Sequence, residues 1–172
     1  MVDSILHALE GIPKEWVTLI LSTLPIAELR LAIPWALAQP PAGGGLDWTT
    51  AYIFAVIGNF IPVIPILLLL EPVSNFLRRF QIFDRFFDWL FARTRKRGKM
   101  IERYEALGLI LFVGIPLPVT GAWTGSVAAF LFGIKLRYAI PCILLGILLA
   151  GVVVTLASLG VINFIGVVTS GA

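Results

Sequence analysis

Apolar residues run through this chain in long blocks, interrupted at prolines, glycines and a few charges. The first block, residues 16–37, is apolar except for Glu28 and Arg30, with Pro25 and Pro34 bracketing that charged pair. Counted from Pro13, the arm before Pro25 holds about 12 residues, or about 18 Å of helix, against a hydrocarbon core of about 30 Å. Two such arms joined at a proline predict a re-entrant hairpin over residues 13–37, a single tilted helix over the same residues being the alternative. Residues 39–47 read as a loop from their proline and glycine content. Residues 48–70 are long enough to span a bilayer, with Trp48 and Tyr52 at one interface and a kink expected at Pro62 and Pro65. Glu71 and Pro72 are expected to end that span.

Between residues 73 and 103 the pattern changes. Phe76, Leu77, Phe80, Phe83, Phe87, Leu90 and Phe91 recur at helical spacing with charges between them. That predicts an amphipathic helix lying in the membrane interface. The opening pattern then returns. A short apolar arm begins at Leu107, Pro116 and Pro118 break it, and a second arm runs to Gly133, giving a second hairpin over residues 107–133. Residues 138–168 form the last span, either one tilted helix or a helix broken near Gly160. Setting Pro25 on Pro118 also sets Glu28 on Gly121, Ala32 on Gly125 and Gly58 on Gly151. The expected fold is therefore all-α and integral to the membrane. It is one membrane domain over 1–172, built as an inverted repeat of hairpin plus span (13–70 and 107–168).

Composition supports the membrane reading. The chain has 172 residues, 59% of them hydrophobic and only 13% charged, whereas soluble domains carry about 25% charged residues. Nine of the thirteen Lys and Arg residues fall between Arg78 and Arg103. Beside apolar spans such a cluster marks a cytoplasmic loop, here 73–106, rather than a nucleic-acid surface. Both termini are then expected outside a multi-pass protein of the cell membrane. A hairpin at 107–133 also returns Lys135 and Arg137 to the basic side, as the positive-inside rule prefers.

The candidate chemistry sits where polar groups meet apolar surroundings. Charges at bilayer depth cost about 2.5–3.5 kcal/mol each on insertion scales and are functional candidates by default. Glu28, removed from water, is suited to taking up and releasing a proton; Arg30 stays charged and can hold a phosphate or carboxylate. Two positions apart, they do not face each other on a regular helix, though an extended tip would change that. A buried ion pair that only holds the hairpin together is the structural alternative. Asn59, Thr120, Trp123 and Thr124 are further substrate or ion candidates. The threonines have a simpler use in bonding backbone carbonyls freed at the prolines, and Trp123 one in packing. Gly121 and Gly125 begin a stripe of small residues that lets helices approach closely.

Other chemistries lack residues. His7 is the only histidine and Cys142 the only cysteine. No metal cluster, cofactor motif or nucleophile–base pair is expected, and the chain reads as a non-enzyme.

The strings at 24–34 (Leu-Pro-Ile-Ala-Glu-Leu-Arg-Leu-Ala-Ile-Pro) and 114–125 (Gly-Ile-Pro-Leu-Pro-Val-Thr-Gly-Ala-Trp-Thr-Gly) resemble the small multidrug export protein family. That family looks like a branch of the DedA-like membrane protein superfamily. The resemblance implies paired re-entrant hairpins and a transport role. It also implies that DedA-like relatives translocate phosphate-headed lipids with dependence on the proton-motive force. Glu28 sits where such proteins carry a hairpin carboxylate. The second hairpin departs from the pattern, with Val119, Thr120 and Trp123 where an arginine is expected. The expected function is a small secondary transporter for an amphipathic or anionic-headed substrate, a lipid phosphate or drug-like compound, coupled to protons. Membrane lipids are the expected surroundings and a homodimer is plausible, since two spans enclose little. The alternative is a non-transporting membrane scaffold or envelope assembly factor acting through the basic aromatic helix.

Overall fold

The computed structural model describes residues 11–77, 99–117 and 120–170. His7, Pro118, Val119 and most of the basic aromatic segment lie outside the described residues. Every regular element among the described residues is a helix: α1 (Lys14–Thr23), α2 (Glu28–Leu37), α3 (Trp48–Phe60), α4 (Val63–Leu77), α5 (Lys99–Gly114), α6 (Ala122–Leu131) and α7 (Leu136–Ser170). Two apolar stretches, Trp48–Leu70 and Leu136–Ile162, are long enough to cross a membrane. The chain divides into two compact units, one of Met1–Asn59 with Ala150–Ala172 and one of Phe60–Leu149.

In the first unit α1 and α2 are ten residues each, about 15 Å long and half a membrane's depth. They pack against each other, with Pro25 in the connection and the Lys14 ammonium 5.9 Å from the centre of the Trp35 ring at the opposite end. The loop after α2 folds back on it. Gly44, Leu46 and Gly45 donate backbone N–H groups to the carbonyls of Trp35, Ala36 and Ala38, satisfying acceptors that a helix end leaves open. Asp47 then starts α3 by accepting the Thr50 N–H at 2.9 Å, an N-cap. In the second unit α6 packs on both α4 and α5.

The long helices present large aliphatic residues outward and small ones inward. Ile53 and Ile57 of α3, and Leu145, Leu149, Val152 and Leu156 of α7, are exposed, while Ala51, Ala55, Ala139 and Ala150 are buried. Water would favour the reverse order. Lipid favours this one, because association in a bilayer rests on close packing of small residues rather than on hiding aliphatic ones.

Several boundaries differ from the sequence pattern. The turn at Ile61 and Pro62 between α3 and α4 meets the expected kink, but Glu71 and Pro72 do not end the helix; α4 continues to Leu77 with Pro72 inside it. Helix α7 runs unbroken past Gly160, where nothing lies near enough to meet an added Cβ, so that glycine answers no close packing that could bend the helix. Helix α2 ends at Leu37, with Pro34 inside it. The proline ring removes only the N–H that would bond the Arg30 carbonyl one turn back. The arm expected from Leu107 begins instead at Lys99, because residues 99–106 continue the helical run.

Candidate functional site

Glu28 opens α2 with a backbone φ of +44°, the one positive value among the described non-glycine residues. An L-residue with a side chain rarely adopts that conformation, and such strain persists only where surrounding structure holds it. Its N–H donates to the Leu24 carbonyl at 3.0 Å, which closes the connection around Pro25. The residue as a whole is 4% exposed. The left-handed turn also changes where the side chain goes. On a regular helix residues 28 and 30 would diverge, yet Glu28 Oε2 lies 3.6 Å from a guanidinium nitrogen of Arg30. The sequence expectation that they do not face each other is thus corrected, because position 28 is not helical in its backbone angles. Burial is uneven: the Glu28 side chain is 6% exposed and that of Arg30 25%.

The same unit holds most of the buried polar groups. Thr18, Ser22, Glu28, Asn59 and Thr155 belong to it; Ser126 belongs to the second unit. Thr18 donates to the Lys14 carbonyl at 2.8 Å, and Ser22 donates across to the Ala55 carbonyl of α3. Near that crossing a Cβ on Gly58 would collide with the Leu19 carbonyl, so glycine is what lets the backbones of α1 and α3 meet. Asn59 follows directly and is 2% exposed, and its Oδ1 has no hydrogen-bond partner among the described residues, as is also true of Thr155 Oγ1. A buried acceptor left so is costly. Thr18, Ser22 and Thr155 were not foreseen. Isolated hydroxyls in apolar runs carry no periodic signal, and only their neighbours identify them.

The second set of candidates is arranged differently. Thr120 Oγ1 donates to the Ile115 carbonyl at 2.6 Å and accepts the Leu117 N–H at 3.1 Å, tying together the connection that contains Pro116. Thr124 donates to the Gly121 carbonyl at 3.3 Å, and Ser126 to the Ala122 carbonyl at 2.7 Å. These hydroxyls serve backbone carbonyls, the simpler of the two uses expected of them. Trp123 is half-buried and Gly121 buried. An added Cβ on Gly125 would strike Val113 Cγ2, and one on Gly146 would lie 2.6 Å from Val113 Cβ. Val113 of α5 is thereby gripped between α6 and α7. The glycine that stands to α5 as Gly58 stands to α1 is thus Gly146, whereas Gly151, set on Gly58 by the sequence offset, meets Tyr52 and Val56. Among the described residues no group of His, Cys, Asp and Glu could hold a metal ion.

No curated protein and no solved structure matches the chain. Residues 28–153 match the family described as "Putative small multi-drug export protein". The matched stretch begins at Glu28 itself and takes in the first long apolar stretch and part of the second, whose aliphatic outer faces suit a membrane. By that match the chain belongs to the small multi-drug export protein family.

Proposed function

We propose that the protein is a small secondary transporter whose working pair is Glu28 and Arg30. It moves an amphipathic substrate with an anionic head, a lipid phosphate or drug-like compound, coupled to protons. The observation that carries this reading is the ion pair itself. A carboxylate held in left-handed backbone, buried and 3.6 Å from a guanidinium, is an expensive way to join two short helices. Well-packed apolar residues usually stabilise as well as a buried ion pair. Glu28 takes up and releases the proton; Arg30 holds the anionic head. The export family supports transport as the class of activity.

In this reading the two short helix pairs are hairpins that enter the membrane from opposite faces, each followed by a span. The basic segment is cytoplasmic and both termini lie outside. Broken helices of this kind bring substrate sites to mid-membrane in transporters built from inverted repeats. Asn59 adds an acceptor, and a second copy of the chain encloses the path. The test is flux in proteoliposomes with an imposed proton gradient, using a phosphate-headed lipid and a drug-like amphiphile. Glu28→Gln should abolish gradient-driven movement, and undiminished flux would overturn the proton role.

A further inference from the structure

The geometry of the pair, taken with the reading above on which this step rests, fixes the sign of coupling. We infer that Glu28 is an internal occupant of the Arg30 anion site, so that a proton and an anionic head bind together and are carried in the same direction. Four features of the first unit lead there. The carboxylate occupies one side of the guanidinium already, so an arriving anion meets a like charge until Glu28 is neutralised. At 3.6 Å the contact is longer than the 2.7–2.9 Å typical of charge-assisted hydrogen bonds. Access is one-sided, since Arg30 is four times as exposed as Glu28, 25% against 6%. An anion reaches the guanidinium without first displacing the carboxylate into lipid. Finally, Glu28 is turned toward Arg30 by strained backbone, so loss of its charge removes the attraction that offsets the strain.

Among the described residues of this unit, α1 contributes Lys14 and Glu15, and the start of α3 is preceded by Asp47. Lys14 is engaged with Trp35 and Asp47 with Thr50, both at the end of the helix pair away from Pro25, about 15 Å along α1 and α2. The described parts of α3 and of α7 in this unit carry no charged side chain. Protonation of Glu28 removes the like charge that an arriving anion meets at Arg30. By reciprocity, anion binding draws a proton onto Glu28. A cationic substrate would instead need the deprotonated carboxylate and would have to displace Arg30, which gives exchange against protons.

The experiment uses the full chain in nanodiscs of neutral lipid. Its probes are a short alkyl sulfonate, whose charge is constant over the pH range used, and a short tetraalkylammonium. Calorimetry in buffers of different ionisation enthalpy counts protons. Sulfonate affinity should rise as pH falls, by up to about tenfold per pH unit with one proton taken up per anion. Glu28→Gln should bind as tightly as the acidified wild type with the pH dependence lost. Sulfonate binding that needs Arg30 but is flat or weakens on acidification would overturn the shared direction while leaving the anion site standing. Unchanged sulfonate binding in Arg30→Gln would overturn the site itself. Ammonium binding that is lost in Glu28→Gln would assign the pair to cations and overturn the inference. The wild-type pH profile is read without any variant, so a variant that fails to fold does not remove the test.

Discussion

The helix pairs α1–α2 and α5–α6 meet the same problem, a chain that breaks within an apolar block, with different means. The pair in the first unit breaks at Pro25 and puts a buried, ion-paired carboxylate in left-handed backbone directly after the break. The pair in the second unit breaks at Pro116, ties the freed backbone with the hydroxyl of Thr120 and closes around Val113 with Gly125 and Gly146. The second solution is the cheaper one physically, since it uses neutral groups and ordinary van der Waals packing. That it exists in the same molecule teaches that charge is not needed to turn a short helix pair here. The charge at Glu28 therefore calls for a reason beyond folding, and the proposed transport role offers one.

The largest effect should separate the two units by what an added methyl group meets. At Gly58 it meets the Leu19 carbonyl, part of the backbone of α1; at Gly125 it meets the end of the Val113 side chain. A side chain shifts more readily than a helix. Gly58→Ala should cost about 3 kcal/mol, at the upper end of overpacking penalties, and Gly125→Ala about 1 kcal/mol. Unfolding in mixed detergent micelles measures both. Equal losses would mean that α1 and α3 yield as easily as a valine rotamer. Pairing Gly125→Ala with Val113→Ala should recover part of its loss, since the two share one contact.

Next in size is the separation of charge from backbone at position 28. Glu28→Ala removes the carboxylate and keeps the strain, leaving Arg30 without this partner. With Arg30 a quarter exposed, the loss should be about 2 kcal/mol, below the roughly 3–5 kcal/mol of a fully buried pair. Glu28→Gly removes the carboxylate as well but tolerates the positive φ, and should be about 1 kcal/mol more stable than Glu28→Ala. Were alanine the more stable of the two, the left-handed conformation would be no burden, and the case for stored strain would fall. Neither variant should restore proton-driven flux, because neither can titrate.

Much of this arrangement is legible in the sequence because it rests on coarse signals. The charged pair stands out against residues 16–37, and both breaks fall at or beside prolines. The two long apolar stretches announce themselves by length. What cannot be read there is backbone conformation and three-dimensional neighbourhood. Spacing two residues apart argued against pairing of Glu28 and Arg30, and only a left-handed turn at Glu28 reverses that. Pro72 looks like a helix end but sits within a helix, at the loss of one backbone hydrogen bond. Thr120 and Thr124 are substrate candidates on residue type alone, and the bonds they donate to carbonyls close by in the chain are visible only in the fold.

The smallest expected effect lies at the helix starts, where the two units differ again. Helix α3 is capped by Asp47, whereas α6 starts at Gly121 with no side-chain cap. The Thr50 backbone N–H, with the Thr50 hydroxyl second, holds the Asp47 carboxyl below its ordinary range. A group whose pKa is lower folded than unfolded stabilises the fold above its unfolded value. That contribution fades as pH falls through the folded value. Acidification through and below the usual aspartate range should therefore loosen the start of α3 and leave that of α6 unaffected. Amide exchange at Thr50, compared with that at Gly125 near the start of α6, reads the difference. Asp47→Asn should keep most of the cap, since its side-chain oxygen still accepts the Thr50 N–H, and lose the acid sensitivity. If acid loosens Thr50 to the same extent in Asp47→Asn, the sensitivity belongs to another carboxylate. The contrast between a charged cap in one unit and an uncharged start in the other would then carry no consequence for stability.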